Sequence, residues 1–232
     1  MIGLVAATVG CEDKTQDVPP STTEPDMTNK YQLPRGIEVP DLTGIHEAYS
    51  VRKSEKGFFV FTLNVSAENI FRVFLHLASK VKEPAFLLFE TGVHEDVEKT
   101  LRKKDSDPFH KDVYYIDGLN WARAESIVKI YSELLVNDGE INFGYGTHKG
   151  YDEVYVGPYR VFEIYADDPG KYITLLNELG IAKEEKVKTV WGNFTRDSPG
   201  QRSALTDAPI TIWKMIEQLK EKGLYRAERR ED

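Results

Sequence analysis

The sequence predicts an α+β (or α/β) fold, with a mixed β-sheet of about six to seven strands built from β-α-β units plus a hairpin, and four to five packed helices. Three observations lead to this prediction. An apolar run at 58–65 is followed by a helical stripe and a second apolar run at 85–90. A similar succession occupies 113–146, and a glycine-containing turn follows it. Alternating strand and helix patterns with one hairpin are typical of helices packed on a mixed sheet.

The first unit begins with FFVFTLNV at 58–65, a nearly continuous apolar run that predicts a strand buried on both faces. Ser66 is a suitable N-cap for the helix that follows. The helix has one apolar stripe, formed by Ile70, Val73, Phe74, Leu77 and Val81. Pro84 separates it from the strand AFLLFE at 85–90.

An exposed helix is predicted at 94–104, in which only Val97 and Leu101 are expected to be buried. The second unit follows it and begins with a strand at 113–117. Asn120 is expected to cap a helix whose inner face is Ile127, Ile130, Tyr131 and Leu134. The strand at 140–146 alternates, with Ile141, Phe143 and Tyr145 on one face and Asn142, Gly144 and Gly146 on the other. An offset of 57 residues aligns the two units, including Phe86 with Phe143. This indicates a diverged repeat or, as we favour, the periodicity that β-α-β units share.

The remaining pattern predicts a hairpin from 140–147 to 152–157 and a strand at 159–166. Asp167 or Asp168 is expected to cap the next helix, with Pro169 near its first position and Gly180 after its end. A strand is predicted at 186–192 and a loop at 193–203. The last helix is expected to start near Asp207 and to end at Gly223, with a stripe of Ile212, Met215, Ile216 and Leu219.

A chain of 232 residues is consistent with one domain and a tail. We expect a truncated signal segment at 1–11, a disordered polar tether at 12–45, a single globular domain at 46–228 and a charged tail at 229–232. The stretch after Cys11 is rich in Pro, Thr, Ser and acidic residues and has few large apolar side chains. Such a composition buries too little surface to offset the entropy of ordering.

The N-terminal segment IGLVAATVG at 2–10 is apolar and ends directly at Cys11. Small residues followed by cysteine resemble the cleavage box of bacterial lipoproteins, in which the cysteine is lipidated and becomes the mature N-terminus. The apolar run is too short to span a bilayer and lacks a preceding Lys or Arg, and Thr8 stands where the box usually has Leu. The resemblance implies a protein of the bacterial cell envelope, lipid-anchored through Cys11 and facing outside the cytoplasm. The alternative is a cytoplasmic protein with an N-terminus that is not a signal.

Composition argues against several classes of function. The formal net charge is −8, and no basic stripe suited to nucleic acid is present. One cysteine excludes an intramolecular disulfide and a four-cysteine zinc site. No His-x-x-x-His pair occurs; His94 beside Glu95 and Asp96 offers at most a weak metal site. Neither a Gly-x-Ser-x-Gly elbow nor a phosphate-binding glycine loop is present. We therefore expect no metal and no cofactor.

Two segments are candidates for a functional surface. Four glycines are interspersed among four tyrosines in 143–160, and the binding candidates there are Tyr145, His148, Tyr151 and Tyr155. Glycine leaves room beside a strand, and tyrosine is enriched at interfaces. The second segment, 191–202, contributes Trp191, Phe194 and Arg196, residue types that are frequent in binding hot spots. The alternatives are a hairpin whose tyrosines pack on the sheet and an ordinary connection anchored by Trp191.

Three functions fit these observations. The first is an envelope-tethered domain that binds another protein, as an inhibitor of the immunity type or an adaptor, through the tyrosine hairpin and the Trp191 loop. The second is a hydrolase in which His148 is the general base and Asp152 or Glu153 orients it. Neighbours on a strand point to opposite faces, so only one of these two acids could do so. The third is a structural domain without a ligand.

Overall fold

The structure, a computed structural model, describes residues 31–231. Within them lie six helices: α1 Ala67–Ala78, α2 Glu95–Leu101, α3 Trp121–Ile130, α4 Ser132–Asn137, α5 Pro169–Glu178 and α6 Ile212–Lys220. The strands are β1 Ile37–Glu38, β2 Ala48–Lys53, β3 Phe59–Asn64, β4 Ala85–Gly92, β5 His110–Leu119, β6 Ile141–Gly146, β7 Asp152–Val156, β8 Phe162–Ala166, β9 Ala182–Lys183, β10 Gln201–Arg202 and β11 Tyr225–Glu231.

Nine strands form one sheet in the order β11-β5-β4-β6-β7-β8-β3-β2-β9, and β1 and β10 pair separately. All neighbours in the large sheet are antiparallel except β2 and β9, which are parallel. The predicted fold class, a mixed sheet with several helices, is confirmed. The sheet is larger than predicted because β2, β9 and β11 were not expected from the sequence.

Both predicted β-α-β crossovers are present. Strands β5 and β6 pair with opposite edges of β4, so they run parallel with β4 between them. Strands β3 and β4 are also parallel, but β6, β7 and β8 lie between them. Phe86 and Phe143, which the repeat alignment matches, lie in different clusters: Phe143 in the main core and Phe86 on the opposite face. At this pair the two units are therefore not equivalent.

The core lies between one face of the large sheet and helices α1, α3, α4, α5 and α6. The predicted stripe of α1 is buried there, as is the predicted stripe of α6. Asn120 caps α3 as predicted, accepting a hydrogen bond from the Arg123 amide at 3.0 Å. Ile130, however, is 65% exposed, because the helix breaks at Tyr131 and continues as α4.

Several predicted elements differ from the structure. Residues 186–192 form no strand; Val187 and Val190 are buried three positions apart, and a 3₁₀ turn starts at Val190. Strand β8 starts at Phe162, because Tyr159 and Arg160 adopt positive φ in a preceding turn. Helix α6 starts at Ile212, and the Thr211 side chain caps it. Val97 is exposed on α2, whereas Glu98 is buried.

The packed part of the chain is longer than residues 46–228. Tyr31 is buried, and its hydroxyl donates to the Val65 carbonyl at 3.1 Å. Residues 31–45, predicted to belong to the tether, therefore lie against the domain. At the other end, residues 229–231 belong to β11, where Arg229 donates to Asp112 at 2.7 Å. The predicted signal segment, the tether before Tyr31 and Cys11 lie outside the described residues.

A buried arginine fixes the junction between α4 and β6. The Arg160 side chain is fully buried and donates to the carbonyls of Val136 at 2.9 Å, Ile141 at 2.7 Å and Asp138. Burial lowers the pKa of Arg160 to about 10, so the guanidinium stays charged at neutral pH. It satisfies carbonyls that the end of α4 leaves without intrahelical partners.

Candidate functional site

The face of the sheet opposite the helices, which we call the open face, is lined by acidic and aromatic side chains. Because side chains alternate along a strand, residues that flank core positions point to this face. Its central members are Glu90, Tyr115, Glu153, Tyr155, Glu163 and Tyr165. A small apolar cluster of Phe86, Leu88 and Val113 lies beside them.

Four of these side chains form a square across two strands, the Glu–Tyr quartet. In β7 the sequence is Glu153-Val-Tyr155, and in β8 it is Glu163-Ile-Tyr165. The antiparallel register places Glu153 opposite Tyr165 and Tyr155 opposite Glu163. Directly opposite residues on one face of a sheet have adjacent side chains. Two copies of Glu-x-Tyr in antiparallel strands thus bring two carboxylates and two phenols together.

Glycines in β6 allow the quartet to lie close to the backbone. A Cβ atom on Gly144 would stand 3.3 Å from the Tyr155 ring, and one on Gly146 would stand 2.8 Å from Glu153 Cγ. Any larger residue at Gly146 would therefore displace Glu153. The glycines predicted to leave room beside this strand do so, and Tyr155 and Glu153 fill the space.

Glu153 has an unusual environment. Burial and the neighbouring charge of Glu163 raise the pKa of Glu153 to about 7, and the charge of His148 opposes this rise. Neither a hydrogen bond nor an ion pair links its carboxylate to another side chain in residues 31–231. A carboxyl group with a pKa near neutrality can bind a cation or can donate and accept a proton.

The other two acids among the central residues of the open face, Glu163 and Glu90, are held by hydrogen bonds. The Tyr165 hydroxyl donates to Glu163, and the Tyr155 hydroxyl donates to Glu90. Glu90 also accepts from Arg230 of β11 and lies 3.6 Å from Lys111. Burial alone would raise the pKa of Glu90, but the bonds from Tyr155 and Arg230 hold it below its ordinary value. Glu90 is therefore an ionised anchor, whereas Glu153 is available to a ligand.

Two shallow cavities adjoin the quartet. One, of about 220 Å³, lies on the side of Glu90, Tyr115 and Arg230. The other, of about 200 Å³, is bordered by Phe58 and Tyr151. Glu153 and Tyr165 line both cavities. The unpaired carboxylate thus faces the accessible part of the surface.

Tyr151, which the sequence analysis proposes as a binding residue, lies at the hairpin turn and extends the open face. It is partly exposed and stacks on Phe58 with ring centroids 4.0 Å apart. Phe58 in turn lies 6.0 Å from Tyr165. An aromatic row therefore connects the turn with the quartet.

Tyr145, also predicted to bind, points to the opposite face. It is 0% exposed in the main core, and its ring lies 5.3 Å from that of Trp121. The hairpin therefore divides its tyrosines between core and open face. Tyr145 cannot contact a partner, because helices cover it.

The proposed hydrolase arrangement of His148 and Asp152 is not formed. His148 is exposed, lies against Phe86 with ring centroids 4.5 Å apart, and pairs with Asp117 at 2.8 Å. Asp152 is buried on the helix side, where it accepts from Lys171 at 2.6 Å and Tyr172 at 2.7 Å. Adjacent strand positions point to opposite faces, so Asp152 cannot orient His148.

The segment of Trp191, Phe194 and Arg196 lies away from the hairpin turn. Trp191 and Phe194 pack against Tyr159, with ring centroids 6.1 Å and 4.9 Å away. Tyr159 precedes β8, whereas Tyr151 meets its far end through a hydrogen bond from the Asp167 amide. A five-residue strand is about 16 Å long, so the two predicted segments lie at opposite ends of β8. Trp191 and Arg196 are exposed there.

Glu163, Tyr165, Glu90 and Arg230 were not singled out by sequence reasoning. The repeated Glu-x-Tyr pattern in adjacent predicted strands was a usable signal for Glu163 and Tyr165. Glu90 is an acid inside an apolar strand, which is also informative, since buried acids need partners. Arg230 carried no signal, because β11 itself was not predicted.

Two further findings concern residues 31–231. No helix there is both long enough and apolar enough to cross a bilayer. The same residues contain no group of three or more His, Cys, Asp or Glu side chains arranged to hold a metal ion.

Comparisons with protein-family models, curated proteins and solved structures found no match for this chain.

Proposed function

We propose that the domain binds another protein through the open face and that Glu153 and Glu163 receive a positively charged side chain of that partner. The observation that carries this proposal is the unpaired Glu153, which is held between two cavities next to a second carboxylate. A cation placed there would relieve the repulsion that raises the pKa of Glu153. Tyr155, Tyr165 and Tyr151 supply rigid contact area around the charge.

The charge balance supports the same kind of partner. The chain has a formal net charge of −8, which would steer a basic protein toward it. An inhibitor of the immunity type and an adaptor both use such a surface. The Trp191 loop would then form a separate contact or none, since it lies at the other end of β8.

The test is a capture experiment with the full chain and lysate of the source organism. Glu153→Gln/Glu163→Gln is the binding variant, and Glu178→Gln/Glu185→Gln is a matched control with two exposed acids removed outside the open face. We expect a basic protein to be retained by the wild type and the control, lost with the binding variant and released by salt. Retention that is equal on all three baits would contradict the proposal.

The envelope location is a second part of the proposal and is supported by the sequence alone. A lipid on Cys11 would hold the domain at a bacterial membrane, with residues 12–30 and the start of the domain following it. Mass spectrometry of the protein expressed in a bacterium should show a diacylglyceryl modification that Cys11→Ser abolishes. An unmodified N-terminal methionine in the wild type would contradict it.

A hydrolase is the second candidate, with Glu153 rather than His148 as the acid or base. The pKa of about 7 is suited to general acid–base catalysis at neutral pH. Chromogenic nitrophenyl esters and glycosides would be incubated with the wild type and Glu153→Gln between pH 5 and pH 8. Turnover that disappears in the variant would favour the enzyme, and its absence in the wild type would favour binding alone.

A further inference from the structure

A larger cavity lies away from the quartet, where α2 and the following loop meet the sheet. Its volume is about 670 Å³, within the range of about 300–1,000 Å³ that is typical of small-molecule sites. The wall combines Gly92 and Val93 at the end of β4, residues of α2, the loop 102–105, Phe109 and His110. The start of β5 thus forms one side and a basic loop forms the other.

A buried carboxylate orients an imidazole in this wall. Glu98 lies on the inner side of α2, and its Oε1 is 3.0 Å from His110 Nδ1. Both side chains are largely buried, at 11% and 19% exposure. His110 Nε2 has no partner among residues 31–231, so it is the nitrogen left for a ligand. This is the usual way in which a carboxylate fixes the orientation of a functional histidine.

Basic side chains line the other part of the wall. Lys104 has no side-chain partner in the described chain, and the Lys103 ammonium bonds only the Thr100 carbonyl, at 2.5 Å. Four acids also line the wall: Glu98 is engaged by His110, Glu95 lies 3.7 Å from Lys99, and Asp105 and Glu140 are the other two. Ammonium groups with free donors next to an imidazole favour an anion.

An aromatic platform stands at the rim of the cavity. Phe109 is 60% exposed, and the Arg102 guanidinium lies 3.9 Å from its ring centroid. Arg102 is itself fixed by the carbonyls of Asp105 and Asp107. A large exposed aromatic side chain that is held in place offers a stacking surface for a flat or apolar group.

From these contacts we propose that the cavity binds a small organic anion, in which a carboxylate or phosphate group contacts Lys103, Lys104 and His110 and an apolar body lies against Phe109. This site is separate from the open face, so it does not depend on the proposed protein partner.

The probes are phenyl phosphate, benzoate and, as a matched cation, benzylamine, titrated into the full chain and followed by amide NMR. We expect either anion to shift the resonances of Val93, Phe109 and His110, and benzylamine to leave them unchanged. The Lys103→Ala/Lys104→Ala variant should bind at least about fivefold more weakly, as expected for the loss of two partly exposed charges. Lys183→Ala/Lys186→Ala, with two exposed lysines removed elsewhere, should bind like the wild type.

Three results would overturn the proposal: no shift with either anion at about 10 mM, equal binding by the two lysine variants, or equal shifts with benzylamine. His110→Asn provides an independent check, because it removes the imidazole and leaves the lysines. It should weaken binding of the anions without moving the melting temperature by more than a few degrees. Unchanged affinity in His110→Asn would contradict the role of the imidazole.

Discussion

The two faces of the nine-stranded sheet have opposite chemistry. On the helix-covered face, Phe61, Phe89, Phe143 and Ile164 are fully buried in one apolar cluster. On the open face, strands β4, β7 and β8 carry Glu90, Glu153, Glu163, Tyr155 and Tyr165. An antiparallel sheet can leave one face to water, but a face needed only for solubility would not bring carboxylates so close together. The helix-covered face provides stability, and the difference is consistent with our proposal that the open face provides recognition.

The largest loss of stability is expected from substitution of Arg160, which supports the helix-covered face of the sheet. Arg160→Leu removes the donors for three buried carbonyls, and unsatisfied buried groups are costly. The free energy of unfolding in urea should fall by about 4 kcal/mol. Arg196→Leu, at an exposed arginine without contacts, should change it by less than about 0.5 kcal/mol. A similar loss in both variants would contradict the role of Arg160.

A pair of aromatic substitutions compares the two faces directly. Phe74→Ala creates a cavity in the core next to Phe143, whose ring centroid is 4.8 Å away, and should cost about 3 kcal/mol. Tyr165→Phe removes only the hydroxyl that donates to Glu163 and should cost less than about 1 kcal/mol. Chemical denaturation of both variants provides the measurement. A greater loss in Tyr165→Phe would mean that the open face, too, is a stability element.

A substitution of Asp152 distinguishes a structural role of this residue from a catalytic role in which it orients His148. Asp152→Asn weakens its bonds with Lys171 and Tyr172 and should lower the free energy of unfolding by about 2 kcal/mol. The NMR chemical shifts of the His148 ring should stay unchanged, because Asp117 is its partner. Asp197→Asn, on an exposed loop, is the control. Changed chemical shifts of the His148 ring in Asp152→Asn, but not in the control, would instead support the pairing of His148 with Asp152 that the sequence suggested.

The sequence predicts the first β-α-β unit, the hairpin and the caps well, because their residues act locally. Asn120 caps α3, and Gly180 adopts positive φ after α5. Ser66 stands at the N-cap position of α1, but its side chain makes no capping hydrogen bond. Alternation in β6 correctly separates Tyr145 from Gly144 and Gly146. It does not reveal which face the helices cover, and for this reason Tyr145 was expected to bind.

The elements that were missed depend on distant partners. Strand β11, YRAERRE, has no apolar alternation; the ion pairs of Arg229 with Asp112 and Arg230 with Glu90 hold it to the sheet. The segment 186–192 was predicted as a strand, but it pairs with no strand of residues 31–231 and packs through Val187 and Val190 instead. The quartet likewise depends on register, which places two Glu-x-Tyr patterns side by side.

The most direct test is the pH dependence of unfolding in the wild type and in Glu153→Gln. The pKa of Glu153 rises from an ordinary value of 4.5 to about 7 in the folded protein. The folded state therefore holds a proton that the unfolded state has released, and stability is lost as the pH rises through this range. Between pH 5 and pH 8 the wild type should lose about 1–2 kcal/mol relative to Glu153→Gln, since partial exposure weakens the full effect. That result would show that the open face holds an unfavourable charge available to a ligand. Parallel curves, or a variant less stable than the wild type at pH 8, would contradict the account.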